Sequence, residues 1–163
     1  MTTWTGGCQC GRIRYRSLTR PTSPHLCFCR MCQKAVGNYF AALGGVALAD
    51  FEFTRGEPAW FHSSDVVRRG FCRDCGTPLF YQEIGGHHVA ILLGTLDDPC
   101  SVGPEWQSDT YGKPRWFGGL DTLPDSIGDE TPDEQATRYG RIARTNHQHP
   151  DHDTSAWPLE TSQ

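Results

Sequence analysis

Eight cysteines in a chain of 163 residues carry most of its chemical content. They are Cys8, Cys10, Cys27, Cys29, Cys32, Cys72, Cys75 and Cys100. They make a Cys-x-Cys pair, a Cys-x-Cys-x-x-Cys triplet, a Cys-x-x-Cys pair and a singleton. Spacing this tight lets neighbouring sulfurs converge on one ion, whereas a disulfide demands a set Cα separation and dihedral. Seven clustered thiols divide naturally into four and three. Joining Cys8 and Cys10 to Cys72 and Cys75 completes a closed, structural tetrahedron. Cys27, Cys29 and Cys32 then form a site with three protein ligands and one open position. Zinc suits such thiolate sites, and ferredoxin-type spacing for an iron–sulfur cluster is absent. The triplet has two other readings: a site closed by a fourth ligand such as His25 or Cys100, or a set of reduced, partly buried thiols. Cys100 by itself reads as a small buried hydrophobe.

These cysteines need a scaffold, and its pattern is strand-rich. Residues 12–16, Arg-Ile-Arg-Tyr-Arg, alternate with period two, so Ile13 and Tyr15 face in and the three arginines face solvent. Further strands are predicted over 38–46, 51–54, 59–62, 66–71, 79–82 and 87–93. Gly85-Gly86 turns the last two into a hairpin. Cys72 to Gly76 reads as a metal knuckle whose backbone N–H groups stabilise thiolates, with Gly76 at positive φ. Cys32 to Gly37 reads as one helical turn ended by Gly37. Thr131-Pro132-Asp133-Glu134 is a capping box that predicts a short helix to about Asn146, interrupted at Gly140. His147, His149 and His152 beyond it read as solvated tail residues.

Composition sets the outer limits. Gly and Pro together number 29, from 18 and 11, which fits a turn-rich domain better than a helical bundle. No run of 18 apolar residues exists, so no helical membrane span is expected. The first residues lack a basic segment followed by an apolar one, so a cytoplasmic, reducing location is expected, in which clustered cysteines bind metal. Residues 1–124 carry 12 Lys+Arg against 11 Asp+Glu, a net of +1, and residues 125–163 carry 3 against 8, a net of −5. The expected organisation is a zinc-bearing body over 1–124 and an acidic extension over 125–163. A net charge of −4 argues against nucleic acid as a partner. Arg12, Arg14 and Arg16 with Arg68 and Arg69 are the one candidate basic patch.

Several motifs stand in order: Gly6-Gly7-Cys8-Gln9-Cys10-Gly11, Cys27-Phe28-Cys29-Arg30-Met31-Cys32-Gln33-Lys34 with Gly37, Phe71-Cys72-Arg73-Asp74-Cys75-Gly76, Gly94-Thr95-Leu96-Asp97-Asp98, Pro104-Glu105-Trp106, and Trp116-Phe117. Over roughly residues 4–124 this resembles the glutathione-dependent formaldehyde-activating family, also called the centromere protein V (GFA/CENP-V) domain. The resemblance implies an Mss4-like fold of small antiparallel sheets organised around zinc. It implies two zinc ions, a structural one on Cys8, Cys10, Cys72 and Cys75 and a reactive one on Cys27, Cys29 and Cys32. The implied activity joins formaldehyde and glutathione into S-(hydroxymethyl)glutathione, a carbon–sulfur lyase reaction run in reverse. Two positions depart from the family: Phe28 and Gln107 stand where a His is common, and each change removes a proton carrier or polar contact that such a His would offer near the second metal.

The chemistry expected of the open site is thiol activation. A free thiol has a pKa of about 8.5, and coordination raises its thiolate fraction at neutral pH. That thiolate attacks an aldehyde carbon. Arg30 and Lys34 flank the triplet and are candidates to attract glutathione carboxylates. Trp106, Trp116 and Phe117 are candidates to line a pocket. The expected partners are therefore a small thiol and an aldehyde, with a homodimer as one way to complete the pocket. The competing class is a non-catalytic zinc module that carries glutathione or binds a macromolecule.

Overall fold

The computed structural model describes residues 2–124 and 131–156. It is mostly β, as the alternation predicts. Strands β1 (Trp4–Gly7), β2 (Arg14–Ser17) and β5 (Phe51–Arg55) form a three-stranded antiparallel sheet in the order β1-β2-β5. The second sheet holds β3 (Thr22–Cys27), β4 (Ala41–Ala47), β6 (Ala59–His62), β7 (Val67–Phe71), β8 (Pro78–Glu83), β9 (His88–Leu92) and β10 (Trp106–Ser108). Its order is β10-β3-β4-β9-β8-β7-β6. The pairing is antiparallel in both sheets, as expected, except at one edge, where β10 adds to β3 in parallel. A parallel neighbour needs a long crossover, and the chain between β3 and β10 supplies it.

Three strands escape the sequence patterns. β1 contains Gly6 and Gly7, which weaken a strand, yet Gly6 is where backbone and ring meet closely. A Cβ there would lie 2.4 Å from the Thr95 carbonyl oxygen and 2.5 Å from the Tyr15 hydroxyl. β3 contains Pro24, which lies where its register against β4 shifts between Thr22 and His25, beside Ser23 at φ 48°. β10 is only three residues long.

The main core gathers Tyr15, Val46, Leu79, Phe80, Ile91 and Val102, all nearly inaccessible. Tyr15 stacks on Phe51 and meets Phe80 edge-on, and its hydroxyl bonds Thr95 Oγ1 at 2.8 Å. A second cluster packs Ala41 and Leu43 against Cys27 and Cys32, with Val36, Tyr81 and Leu92 around them.

One arginine of the 12–16 alternation does not face solvent. Arg14 is 3% exposed. Its guanidinium is bidentate to Asp97, at 2.7 Å for the Nη1 bond, and also donates to Asp153 Oδ1 at 2.7 Å. Burial of a cation is tolerated because two carboxylates complete its hydrogen bonds.

The predicted C-terminal helix is present as α2 (Pro132–Thr145), capped by the Thr131/Glu134 box, and it runs through Gly140 without a break. The segment after it is not solvated along its length. His149 is 4% exposed and its backbone N–H donates to the Gln9 carbonyl at 2.7 Å. Arg55 reaches the Thr154 carbonyl and hydroxyl. The tail is a strap across the first sheet, anchored by contacts that no local pattern reveals. The expected body–extension boundary at 124/125 opens a stretch, 125–130, that lies outside the described residues, as do 157–163. No helix among the described residues is long and apolar enough to cross a membrane.

Candidate functional site

Two groups of converging thiols are present among the described residues: Cys8, Cys10, Cys72 and Cys75, and Cys27, Cys29 and Cys32. Within each group all sulfurs lie within 4.8 Å of one another. Tetrahedral zinc with Zn–S bonds of about 2.3 Å requires sulfurs about 3.8 Å apart. The Cys8–Cys10 and Cys10–Cys72 sulfurs are 3.6 and 3.7 Å apart. The all-thiol donor set and this spacing fit zinc in the four-thiol group, and the three-thiol group offers the same donors.

The four-thiol group is built from two tight turns. Cys8 N–H bonds the Ile13 carbonyl, and Ile13 N–H points at Cys8 Sγ at 3.3 Å. In the second turn Gly76 N–H bonds the Cys72 carbonyl, with Gly76 at φ 76° as the knuckle reading expects. The group joins the loop between β1 and β2 to the loop between β7 and β8, so it ties the two sheets together. Burial pushes the Cys8 thiol well above its ordinary range. Burial also opposes ionisation of Cys75, but the Thr77 hydroxyl and backbone outweigh it and bring Cys75 down to about 6.

The three-thiol group sits at the end of β3 and the start of helix α1 (Arg30–Val36). The helix begins two residues earlier than Cys32. Cys29 is its N-cap, extended at φ −61° and ψ 148°, with Sγ accepting from Cys32 N–H at 3.4 Å. Gly37 closes the helix in the left-handed conformation, as its position suggests. Burial raises Cys32 to about 12 against the lowering effect of Arg69. Burial also raises Cys27. Burial opposes ionisation of Cys29 too, but the Cys32 N–H and adjacent thiols hold it below its ordinary range.

Two residues face this group that sequence reasoning did not assign to it. Arg69, on β7, places Nη2 3.5 Å from Cys32 Sγ and its guanidinium over Tyr81 at 5.0 Å. Asp109 lies 3.4 Å from Cys27 Sγ through Oδ2. It is one of two non-glycine residues at positive φ among the described residues, at 52°. The loop that carries it approaches so closely that a Cβ on Gly112 would lie 2.2 Å from the Phe28 carbonyl. The signal for Arg69 lies in strand alternation: neighbours in β7 point to opposite faces. Arg68 accordingly lies over Trp60 and bonds Gln82 instead. The candidate basic patch therefore does not assemble. Arg12 pairs with Asp74, Arg14 with Asp97 and Asp153, and Arg16 with Glu52.

The other candidates are placed as follows. Arg30 and Lys34 are exposed on α1, and Arg30 bonds Gln33 Oε1 at 3.4 Å. Trp106 stacks on His25 at 4.2 Å, and its ring N–H donates to Ser23 Oγ. That stack lies two residues along β3 and β10 from Cys27 and Ser108, on the same side of the sheet. Trp116 meets Tyr39 edge-on at 4.6 Å and is half exposed. Phe28, where the family often has His, is fully buried against Phe40 and Phe117. Gln107 accepts from Lys113 Nζ at 2.9 Å. His25 is occupied with Trp106 and does not join the three thiols. Cys100 is exposed in a 3₁₀ turn, not buried as a small hydrophobe would be, because Pro99 and the Asp98 cap set it at the surface.

Beside the three thiols lies an apolar cavity of about 160 Å³, walled by Val36, Leu43, Phe61, Phe80, Tyr81 and Leu92, with Arg69 at its edge. Neither Trp106 nor Trp116 lines it.

A crystal structure of a Rhodobacter sphaeroides protein, solved as a structural genomics target, is similar in fold with a TM-score of 0.52 at 20% identity. The alignment covers 64% of this chain and 99% of that one. No curated protein matches the chain. The family model described as glutathione-dependent formaldehyde-activating enzyme matches residues 3–111, which include all seven clustered cysteines and the loop bearing Asp109. The chain belongs to the glutathione-dependent formaldehyde-activating enzyme family.

Proposed function

We propose that this chain is a zinc-dependent enzyme of carbon–sulfur lyase type, joining a thiol such as glutathione to formaldehyde or a related aldehyde. The observation that carries the reading is the convergence of Cys27, Cys29 and Cys32 without a fourth thiol, in a chain of this family. Cys8, Cys10, Cys72 and Cys75 would hold a first zinc with a structural role. A second would be held by Cys27, Cys29 and Cys32 and would supply a position at which a substrate thiol ionises at neutral pH.

The chain's own groups do the rest. Asp109 Oδ2, exposed at the rim beside Cys27, accepts the proton of the incoming thiol. The thiolate sulfur bonds to the aldehyde carbon, and the carbonyl π electrons move to oxygen. Arg69 faces the site with a fixed positive charge and stabilises that developing oxyanion. The proton returns to the oxygen as the hydroxyl of the hemithioacetal, so atoms and charge balance. Arg30 and Lys34, exposed on α1, attract the carboxylates of glutathione. Tyr81 holds the Arg69 guanidinium in place by lying under it.

The test is exchange NMR on formaldehyde and glutathione with zinc-loaded protein. Exchange faster than the spontaneous reaction is expected, and it should vanish in a Cys27/Cys29/Cys32→Ser variant. Spontaneous rates at full zinc loading sink the formaldehyde version.

A further inference from the structure

Formaldehyde has one carbon and needs no apolar room. The cavity beside the three thiols is about 160 Å³. One water occupies about 30 Å³ of liquid, and a dry apolar cavity of about 150 Å³ holds a benzene molecule. The cavity is thus several times larger than the smallest aldehyde requires. It also shares walls with the packing around the site. Val36, Leu43, Tyr81 and Leu92 line it, and all four belong to the apolar cluster that holds Cys27 and Cys32.

Its polarity selects between the two reactants. Glutathione carries two carboxylates and an ammonium, and the walls offer such groups little: leucine, valine and phenylalanine dominate. The one charged side chain at the wall is Arg69, whose guanidinium also faces Cys32 Sγ. An aldehyde seated with its carbon chain among Val36, Leu43 and Leu92 would present its carbonyl to Arg69, whose guanidinium also faces Cys32 Sγ.

We infer that this cavity is a subsite for the carbon chain of an aldehyde larger than formaldehyde, of roughly four to seven carbons, aliphatic or aromatic. The inference rests on the reading of the three-thiol group as a thiol–aldehyde centre. The bond changes are those of hemithioacetal formation: the S–C bond forms, the C=O π bond becomes a C–OH, and the thiol proton ends on that oxygen. No oxidant or reductant takes part.

The experiment is a chain-length series on the zinc-loaded full chain with glutathione: formaldehyde, propanal, butanal, hexanal, decanal and benzaldehyde, followed by exchange NMR. The expected kcat/KM rises about fourfold per added methylene, about 0.8 kcal/mol each, up to hexanal and then levels or falls. Ala35→Trp, at an exposed helix position bordering the cavity, should collapse the hexanal-to-propanal ratio toward one. A separate readout uses benzyl alcohol, which cannot react: it should shift the methyl signals of Val36, Leu43 and Leu92 before those of Val89. A flat or falling series, or a titration that leaves those methyls unmoved, overturns the subsite. If formaldehyde alone is accelerated, the thiol–aldehyde reading survives that failure. Spontaneous rates for every aldehyde sink both.

Discussion

The guanidinium of Arg69 and the sulfur of Cys32 lie 3.5 Å apart, and they come from opposite sides of the site, one from β7 and one from α1. The contact opposes the burial that raises the Cys32 thiol. Zinc requires Cys32 as thiolate, so Arg69 favours the form that binds. Arg69→Met should weaken zinc at the three-thiol site by roughly 10–100-fold, as loss of an outer partner commonly does. The four-thiol site should be unaffected. Chelator competition resolves the two sites, and equal affinities in variant and wild type would contradict the role given to Arg69.

Cys75 and Cys8 should differ sharply in reactivity once zinc is stripped. With Cys75 held near 6, most of it is thiolate at pH 7, whereas Cys8 is kept protonated by burial. Brief iodoacetamide treatment at pH 7 under chelation should label Cys75 before Cys8. Thr77→Val removes the hydroxyl 3.1 Å from Cys75 Sγ and should slow that labelling. Peptide mass spectrometry gives the order.

Serine substitutions should separate the two clusters by stability. Cys72 is buried and links the sheets, so Cys72→Ser should lower Tm by at least about 10 °C or prevent folding, as expected when a structural zinc is lost. Cys29 caps a helix of seven residues near the surface. Cys29→Ser retains a side-chain acceptor at the cap and should cost less than the roughly 1 kcal/mol of losing one. A scanning calorimetry comparison in which Cys29→Ser is the more damaging change would reverse this assignment.

The docked tail should respond to pH. Burial holds His149 below its ordinary value of 6.5, so the folded state favours the neutral ring. Its contribution is therefore full above pH 6.5 and is lost as pH falls through and below that value. Asp97 is opposed by burial but held below its ordinary 3.8 by Arg14, so that pairing persists until far more acidic pH. Between pH 7.5 and 5.5 the His149 amide should lose protection in hydrogen exchange while Arg14 and Asp97 stay paired. Asp153→Ala should cost about 0.5–1 kcal/mol, since the Asp153 carboxylate is half exposed. Protection that rises on acidification would exclude this account.

What could be read from sequence was local. The four-and-three grouping of cysteines follows from spacing, and strands such as β6 and β8 follow from apolar runs between turns. The capping box of α2 is written in four adjacent residues. What could not be read depends on distant partners. Arg14 alternates like a surface arginine, and only Asp97 and Asp153, 83 and 139 residues away, make its burial tolerable. Arg69 and Asp109 reach the thiols from a strand and a loop far along the chain. β1 carries two glycines and no apolar alternation, and its strand is explained only once the ring of Tyr15 packs against Gly6.

The two cysteine groups also differ in how much chain must exist before each is complete. The three-thiol group closes within Cys27 to Cys32, a stretch of six residues that includes both ends. The four-thiol group cannot close until Cys75 has been made, 65 residues after Cys10. At about 5–20 residues per second of synthesis, that is a wait of roughly 3–13 s. During translation the three-thiol group is therefore complete first, while Cys8 and Cys10 wait for their partners. The four-thiol tie between the sheets can form only after the knuckle at Cys72 leaves the ribosome, so the order in which the two thiol groups are completed is set by the direction in which the chain is born.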